Sequence, residues 1–139
     1  TGIQSLPDDL TVWGSLYLWQ TPIKSLPNGL TVQASLFLRG SSIESLPDDI
    51  KIGANLDLYN TPIRSLPDGL TVGGFINLEG TPIEQLPNGM KVGTALYLRD
   101  SAITELPEDL EVGEEIYVSG KQYRTIRIPD RLRKKVKFG

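Results

Sequence analysis

"TPIRSLPDGLTVGGFINLEG", residues 61–80, is followed by "TPIEQLPNGMKVGTALYLRD", residues 81–100, with the same residue classes at the same places. Each stretch is broken by Thr-Pro, by Leu-Pro-Asp-Gly or Leu-Pro-Asn-Gly, and by Gly near its middle. Turn signals at that density leave no room for a helix, whose apolar face needs ten or so uninterrupted residues at a spacing of three and four. The apolar residues fall instead two apart, at Leu70 and Val72 and again at Ile76 and Leu78. That is the period of a strand.

Working outward from these residues, the chain is one twenty-residue unit used six times without insertion over residues 1–120, followed by nineteen residues from Lys121. Position 3 of every unit is Ile, position 6 is Leu, and position 10 is Leu, Ile or Met; positions 12, 16 and 18 are Val, Ile or Leu. All 36 of these sites are apolar. Each unit therefore reads as two short strands, near positions 10–12 and 16–18, joined by turns in which Pro presets one backbone angle and Asp, Asn or Gly tolerates the next. A unit this small cannot bury an apolar face alone, so consecutive units must stack as coils at the sheet spacing of about 4.8 Å. The expected fold is all-β: a parallel β solenoid of six coils plus a C-terminal cap at 121–139, with little or no helix.

Stacking in register creates two further columns. Position 1 is Thr1, Thr21, Ser41, Thr61, Thr81 and Ser101, a line of hydroxyls suited to backbone groups left unpaired at the bend. Position 13 is Gly in Gly53, Gly73, Gly93 and Gly113, which implies either a positive φ or a close backbone approach.

The segments "LYLWQTPIKSLP" (Leu16 to Pro27) and "LYLRDSAITELP" (Leu96 to Pro107) resemble the leucine-rich repeat core LxLxxNxLxxLP, with Thr or Ser at the Asn site. The repeat length is similar to the short repeats of bacterial type III secreted effectors, including the recognition domains of ubiquitin-ligase effectors. The added "LTVGG" element resembles LPxGLxVxGxLxLxGTxIxxLP arrays of bacterial and phage proteins. That resemblance implies a recognition module, in a family that binds proteins, peptides, glycans and nucleic acids. The second strand of each unit departs from it and implies a straighter rod than a horseshoe.

Composition narrows the chemistry. With no His and no Cys, the chain lacks the usual zinc ligands, the Ser-His and Cys-His nucleophile pairs and any disulfide framework. No GxxxxGK[ST] phosphate loop occurs, and no apolar run approaches membrane length. The expectation is a protein that is not an enzyme, needs no cofactor or metal and does not enter a membrane. The carboxylates Asp57 and Glu79 are the one pair on adjacent units that suggests acid-base chemistry, and they read as a solvated surface pair. The turn carboxylates Asp8, Asp9, Asp48, Asp49, Asp68, Glu108 and Asp109 form a row interrupted by Asn28-Gly29 and Asn88-Gly89, which reads as solvated turns in preference to a calcium site. No feature fixes the compartment.

Function is sought where the repeat varies. With positions 16 and 18 inward, positions 15, 17 and 19 should face outward. They carry Tyr17, Trp19, Phe37, Tyr59, Phe75, Tyr97 and Tyr117, seven of the ten aromatics in the chain, interspersed with Arg39 and Arg99. Position 11, the outward site of the other strand, holds Thr, Lys or Glu and no aromatic. Aromatics with Arg are the composition of interface hot spots. This face is therefore the expected partner-binding surface, with Asp57, Asn77 and Glu79 as a polar notch between two aromatic clusters. The alternative is that the aromatics only stabilise the sheet as cross-strand ladders.

Charge divides the chain sharply. Residues 1–120 hold six basic and sixteen acidic residues, a net of −10, and residues 121–139 hold eight basic and one acidic, a net of +7. In the last segment Tyr123, Ile126, Leu132, Val136 and Phe138 continue the inward pattern, which predicts a cap over the last coil. Arg124, Arg127, Arg131, Arg133, Lys134, Lys135 and Lys137 make the same segment the candidate nucleic-acid or acidic-partner surface. The first coil offers an uncovered edge for self-association. A protein partner is expected ahead of nucleic acid, as for a bacterial or phage effector acting on a host protein. The structural alternative is a repeat spacer in a longer surface or virion protein.

Overall fold

The computed structural model describes residues 3–138. Each coil contributes two strands: β1 Thr11–Val12 and β2 Leu16–Tyr17, β3 Thr31–Val32 and β4 Leu36–Phe37, β5 Lys51–Ile52 and β6 Leu56–Asp57, β7 Thr71–Val72 and β8 Ile76–Asn77, β9 Lys91–Val92 and β10 Leu96–Tyr97, β11 Glu111–Val112 and β12 Ile116–Val118. After them come a single-turn helix α1, Gly120–Tyr123, a 3-10 helix, Asp130–Lys135, and β13, Val136–Phe138. The even-numbered strands and β13 form one continuous parallel sheet in the order β13-β12-β10-β8-β6-β4-β2. The odd-numbered strands form two separate three-stranded sheets, β1-β3-β5 and β7-β9-β11. Register is kept at twenty residues throughout, as in Leu36↔Leu56 and Leu56↔Ile76. The protein is a parallel β-solenoid of six coils with almost no helix.

The strands are short because Pro and the turn residues cut them, and the apolar sites supply what their few ladder bonds do not. In coils 2–6 all thirty inward sites are buried, from Ile23 to Val118. At ~1.5 to 3 kcal/mol per buried aliphatic side chain, this core is the dominant stabilising contribution. In coil 1 only Leu18 of the described inward sites is fully buried; Leu6, Leu10, Val12 and Leu16 are half-buried and Ile3 is exposed.

The hydroxyl column does what its chemistry suggests. Thr21, Thr61, Thr81 and Ser101 donate to the carbonyls of Leu18, Leu58, Leu78 and Leu98 at 2.7–2.9 Å. Ser41 is the exception, its buried hydroxyl lacking a partner. Thr1 lies outside the described residues. Of the two readings of the position-13 glycines, close approach is the one found: a Cβ on Gly53, Gly73, Gly93 or Gly113 would overlap the carbonyl oxygen twenty residues earlier, and none of the four has a positive φ. Left-handed residues occur elsewhere, at position 9 in Asp9, Gly29, Gly69 and Gly89 within the Leu-Pro turn, and at position 20 in Gln20, Gly40, Asn60, Gly80 and Asp100, where the chain leaves the continuous sheet.

The last segment closes the rod as a seventh layer. β13 pairs with β12 (Ile116↔Val136, Val118↔Phe138), and Ile126, Leu132 and Val136 are buried as expected, joined by Ile128. Phe138 departs from expectation: it is 54% exposed and stacks on the half-buried Tyr123 at 4.2 Å, outside the buried cluster that Val136 joins. Ser119 and Gln122 form a reciprocal capping box on α1. Gln122 Nε2 also donates to the carbonyls of Leu98 (2.8 Å) and Ser101 (3.1 Å), so an amide continues the task of the hydroxyl column.

Candidate partner-binding face

The continuous sheet stacks its position-17 side chains in the order Tyr17, Phe37, Asp57, Asn77, Tyr97, Tyr117, Lys137. Identical strand positions bring the aromatics into two groups. Tyr17 stacks on Phe37 at 4.9 Å, with Trp19 edge-on to Tyr17 at 5.0 Å. Tyr97 stacks on Tyr117 at 4.9 Å, with Phe75 edge-on to Tyr97 at 5.8 Å. Such pairs contribute about 0.5–1.5 kcal/mol each beyond burial, so the ladder stabilises the sheet as well as decorating it.

Both arginines lie over tyrosine rings. The Arg39 guanidinium sits 4.4 Å from the Tyr59 ring centre and its Nε donates to Asp57 at 3.1 Å. The Arg99 guanidinium sits 5.2 Å from the Tyr117 ring centre, with Nη1 at 3.6 Å from Glu79. A guanidinium pinned between a ring and a carboxylate still presents unused N–H donors outward.

The notch is drier than the sequence suggests, and here the reading of Asp57 and Glu79 as a solvated pair is corrected. Asp57 is buried, at 5% exposure, beneath Arg39, and its other oxygen accepts the Tyr59 backbone N–H at 3.0 Å. Glu79 is half-buried, and its Oε2 is shielded from water without a hydrogen bond. Desolvation, only partly offset by Arg99, pushes its carboxyl above the ordinary 4.5. Asn77 plays on the Glu79 N–H the role that Asp57 plays on Tyr59, at 2.9 Å. Tyr117 donates to Glu115, and loss of that bond to a carboxylate on ionisation raises its phenol. Position 15 is likewise less outward than expected: Ser35 and Ala95 are buried, and Ser15, Ser35 and Asn55 accept the backbone N–H of the next coil's Ser35, Asn55 and Phe75 at 2.8–3.1 Å.

The face is graded along the rod. Trp19, Arg39 and Tyr59 are exposed, whereas Glu79 and Arg99 are half-buried, as are Phe75, Tyr97 and Tyr117. Trp13, 81% exposed at the position where later coils have Gly, stands off this sheet and was not singled out by the strand pattern. Its signal was there to read, since it is the aromatic exception in the position-13 column.

The basic residues of the cap separate into two groups. Arg131 donates to the carbonyls of Glu108 and Leu110, tying the cap to the turn of coil 6, and Arg133 pairs with Asp130 at 3.0 Å. Arg124, Arg127, Lys134, Lys135 and Lys137 make no ion pair among the described residues. No group of three or more carboxylates that could hold a metal ion occurs among the described residues, and no helix there is long and apolar enough to cross a membrane. No protein-family model, curated protein or solved structure matches the chain.

Proposed function

We propose that the protein is a non-enzymatic recognition module that binds a protein partner through the aromatic and arginine face. The observation that carries this reading is the asymmetry of the two strand columns. Seven aromatics and two ring-stacked arginines crowd one sheet, while the outward sites of the other strands hold Thr31, Lys51, Thr71, Lys91 and Glu111. Tyr17, Trp19 and Tyr59 supply exposed apolar anchors, and Arg39 and Arg99 offer donors to partner carboxylates or carbonyls. A bacterial effector or a phage-borne inhibitor of a host protein is the setting that suits the leucine-rich-repeat resemblance.

Pull-downs comparing the wild type with a Tyr17→Ala, Tyr97→Ala variant test the face directly. Loss of partners from a variant that keeps its β-type circular dichroism supports the reading, and equal recovery sinks it. A nucleic-acid role for the cap rests on Arg124, Arg127, Arg131, Arg133, Lys134, Lys135 and Lys137, of which Arg133 alone is in an ion pair among the described residues. It predicts oligonucleotide binding that weakens steeply with salt and a shallower slope in a Lys134→Gln, Lys135→Gln, Lys137→Gln variant.

A further inference from the structure

The six coils share one residue pattern, yet one of the five junctions between them differs from the rest. At the other four junctions, position 11 donates to position 10 of the preceding coil: Thr31 to Leu10, Lys51 to Leu30, Lys91 to Leu70 and Glu111 to Met90, at 2.9–3.1 Å. Position 13 donates likewise to position 12: Gln33 to Val12, Gly53 to Val32, Gly93 to Val72 and Gly113 to Val92. Between coils 3 and 4 neither bond is made, leaving the N–H groups of Thr71 and Gly73 and the carbonyls of Ile50 and Ile52 without their ladder partners. A shallow groove of ≈ 370 Å³ crosses the outer face of coils 2–4 at this place, lined by Thr31 and Gln33 as well as by Asp48, Lys51, Asp68 and Thr71.

The turns show the same division. Coils 1 and 2 are joined by Asp9 N–H to Asn28 carbonyl, coils 2 and 3 by Gly29 N–H to the Asp49 carboxylate. Coils 4 and 5 are joined by Asn88 N–H to Asp68, coils 5 and 6 by Gly89 N–H to Asp109. Among the described residues no such bond links the turns of coils 3 and 4. Asp49 turns back to coil 2 and Asp68 forward to coil 5. On the opposite face, the aromatic and arginine contacts also fall into two sets, one within coils 1–3 and one within coils 4–6.

The turn sequence differs at the same junction. Position 8 reads Asp8, Asn28, Asp48, Asp68, Asn88, Glu108, so Asp48 and Asp68 are the one adjacent pair of carboxylates in that column. Like charges directly opposite on neighbouring strands repel. The hydrogen bonds that still join coils 3 and 4 lie mostly along the continuous sheet, where the N–H groups of Leu56, Leu58 and Asn60 meet the carbonyls of Phe75, Asn77 and Glu79, each at 2.9 Å; Phe75 N–H to Asn55 Oδ1 (2.8 Å), Gly74 N–H to Ala54 carbonyl (2.9 Å) and Arg64 N–H to Glu44 carbonyl (3.4 Å) add to them, and the apolar core continues through the junction.

The geometry points to a hinge: the rod is two three-coil halves that rotate about the continuous sheet, opening at the Asp48 and Asp68 edge. Opening changes the curvature of the aromatic face and the angle between its two clusters. The rotation is a property of the free protein and stands whether or not that face binds a partner. Because the chain has no cysteine, spin labels can be placed at will. Distances between labels at Lys51→Cys and Lys91→Cys, which span the junction, should be at least twice as broadly distributed as those for Thr11→Cys with Lys51→Cys or Thr71→Cys with Glu111→Cys, which span two coils within one half. The Gly74 amide should exchange at least tenfold faster than those of Ala54 and Thr94. Asp68→Asn, which removes the carboxylate next to Asp48 in that column, should narrow the first distribution and slow Gly74. Equal widths for the three pairs overturn the hinge, and a broad distribution unchanged by Asp68→Asn overturns its charge origin.

Discussion

The two ends of the rod carry the same repeat and bury it differently. At the C-terminal end, coil 6 is covered: Ile103, Leu106, Leu110, Val112, Ile116 and Val118 are all buried beneath Ile126, Ile128, Leu132 and Val136. Coil 1 has the same residue types at the same sites, but Leu6, Leu10, Val12 and Leu16 stay half-buried, and Ile3, Trp13, Tyr17 and Trp19 are exposed. Burial in a solenoid is thus a property of the junction and not of the sequence of a coil. A residue worth several kcal/mol in the middle of the stack is worth a fraction of that where one neighbour is absent.

The comparison breaks most visibly if the cap is removed. Truncation from Lys121 leaves Ile116 and Val118 on an open edge, and the expected outcome is aggregation seen by light scattering, where the full chain stays dispersed. Point substitutions sharpen it. Leu132→Ala, at a fully buried cap site, should cost about 2–5 kcal/mol in denaturant unfolding, and Leu10→Ala in the first coil about 1 kcal/mol or less. Equal costs would mean that coil 1 is covered in solution. Gln122→Ala, which strands the Ser101 carbonyl and removes half of the capping box, should cost about 1–2 kcal/mol, an effect with no counterpart at the other end.

A substitution at neither end sets the baseline and has the smallest effect. Below 4.5 Glu79 is protonated in both folded and unfolded chains; as pH rises through its raised folded value, burial penalises the charge only in the folded state. Wild-type stability relative to Glu79→Gln should therefore fall as pH rises from 4 to 7, measured by parallel melts about the 4.5 reference. A gap that widens in favour of the wild type would mean that Arg99 outweighs desolvation.

The repeat, the two strands per coil, the core columns and the cap were legible because each rests on local chemistry recurring every twenty residues. Asp57 was not, since position 17 reads as outward and the contacts that hold Asp57 are the Arg39 guanidinium from the preceding coil and the Tyr59 backbone N–H. Phe138 fits the inward count, yet it is exposed and stacks on Tyr123, whereas Val136 on the same strand is buried, a difference of three-dimensional neighbourhood that spacing alone does not carry. The role of Arg131 was hidden for a related reason: a basic residue in a basic segment gives no sign that it will cap the carbonyls of a turn 21 and 23 residues earlier. The split between coils 3 and 4 falls where Asp48 and Asp68 are adjacent in the position-8 column, but the missing ladder bonds themselves leave no mark in a repeat that keeps its pattern through the junction.

Because the ladder bonds join residues about twenty apart, as in Leu36 N–H to Asn55 carbonyl and Leu96 N–H to Glu115 carbonyl, folding never has to close a long loop. Each added coil meets nearly the same entropic barrier, on the order of 3 kcal/mol for a loop of that length, and gains one more junction in return. The chain therefore winds up by elongation from whichever pair of coils forms first, and it frays from its termini inward. Inserting another twenty-residue unit would lengthen the rod without raising the barrier of any step.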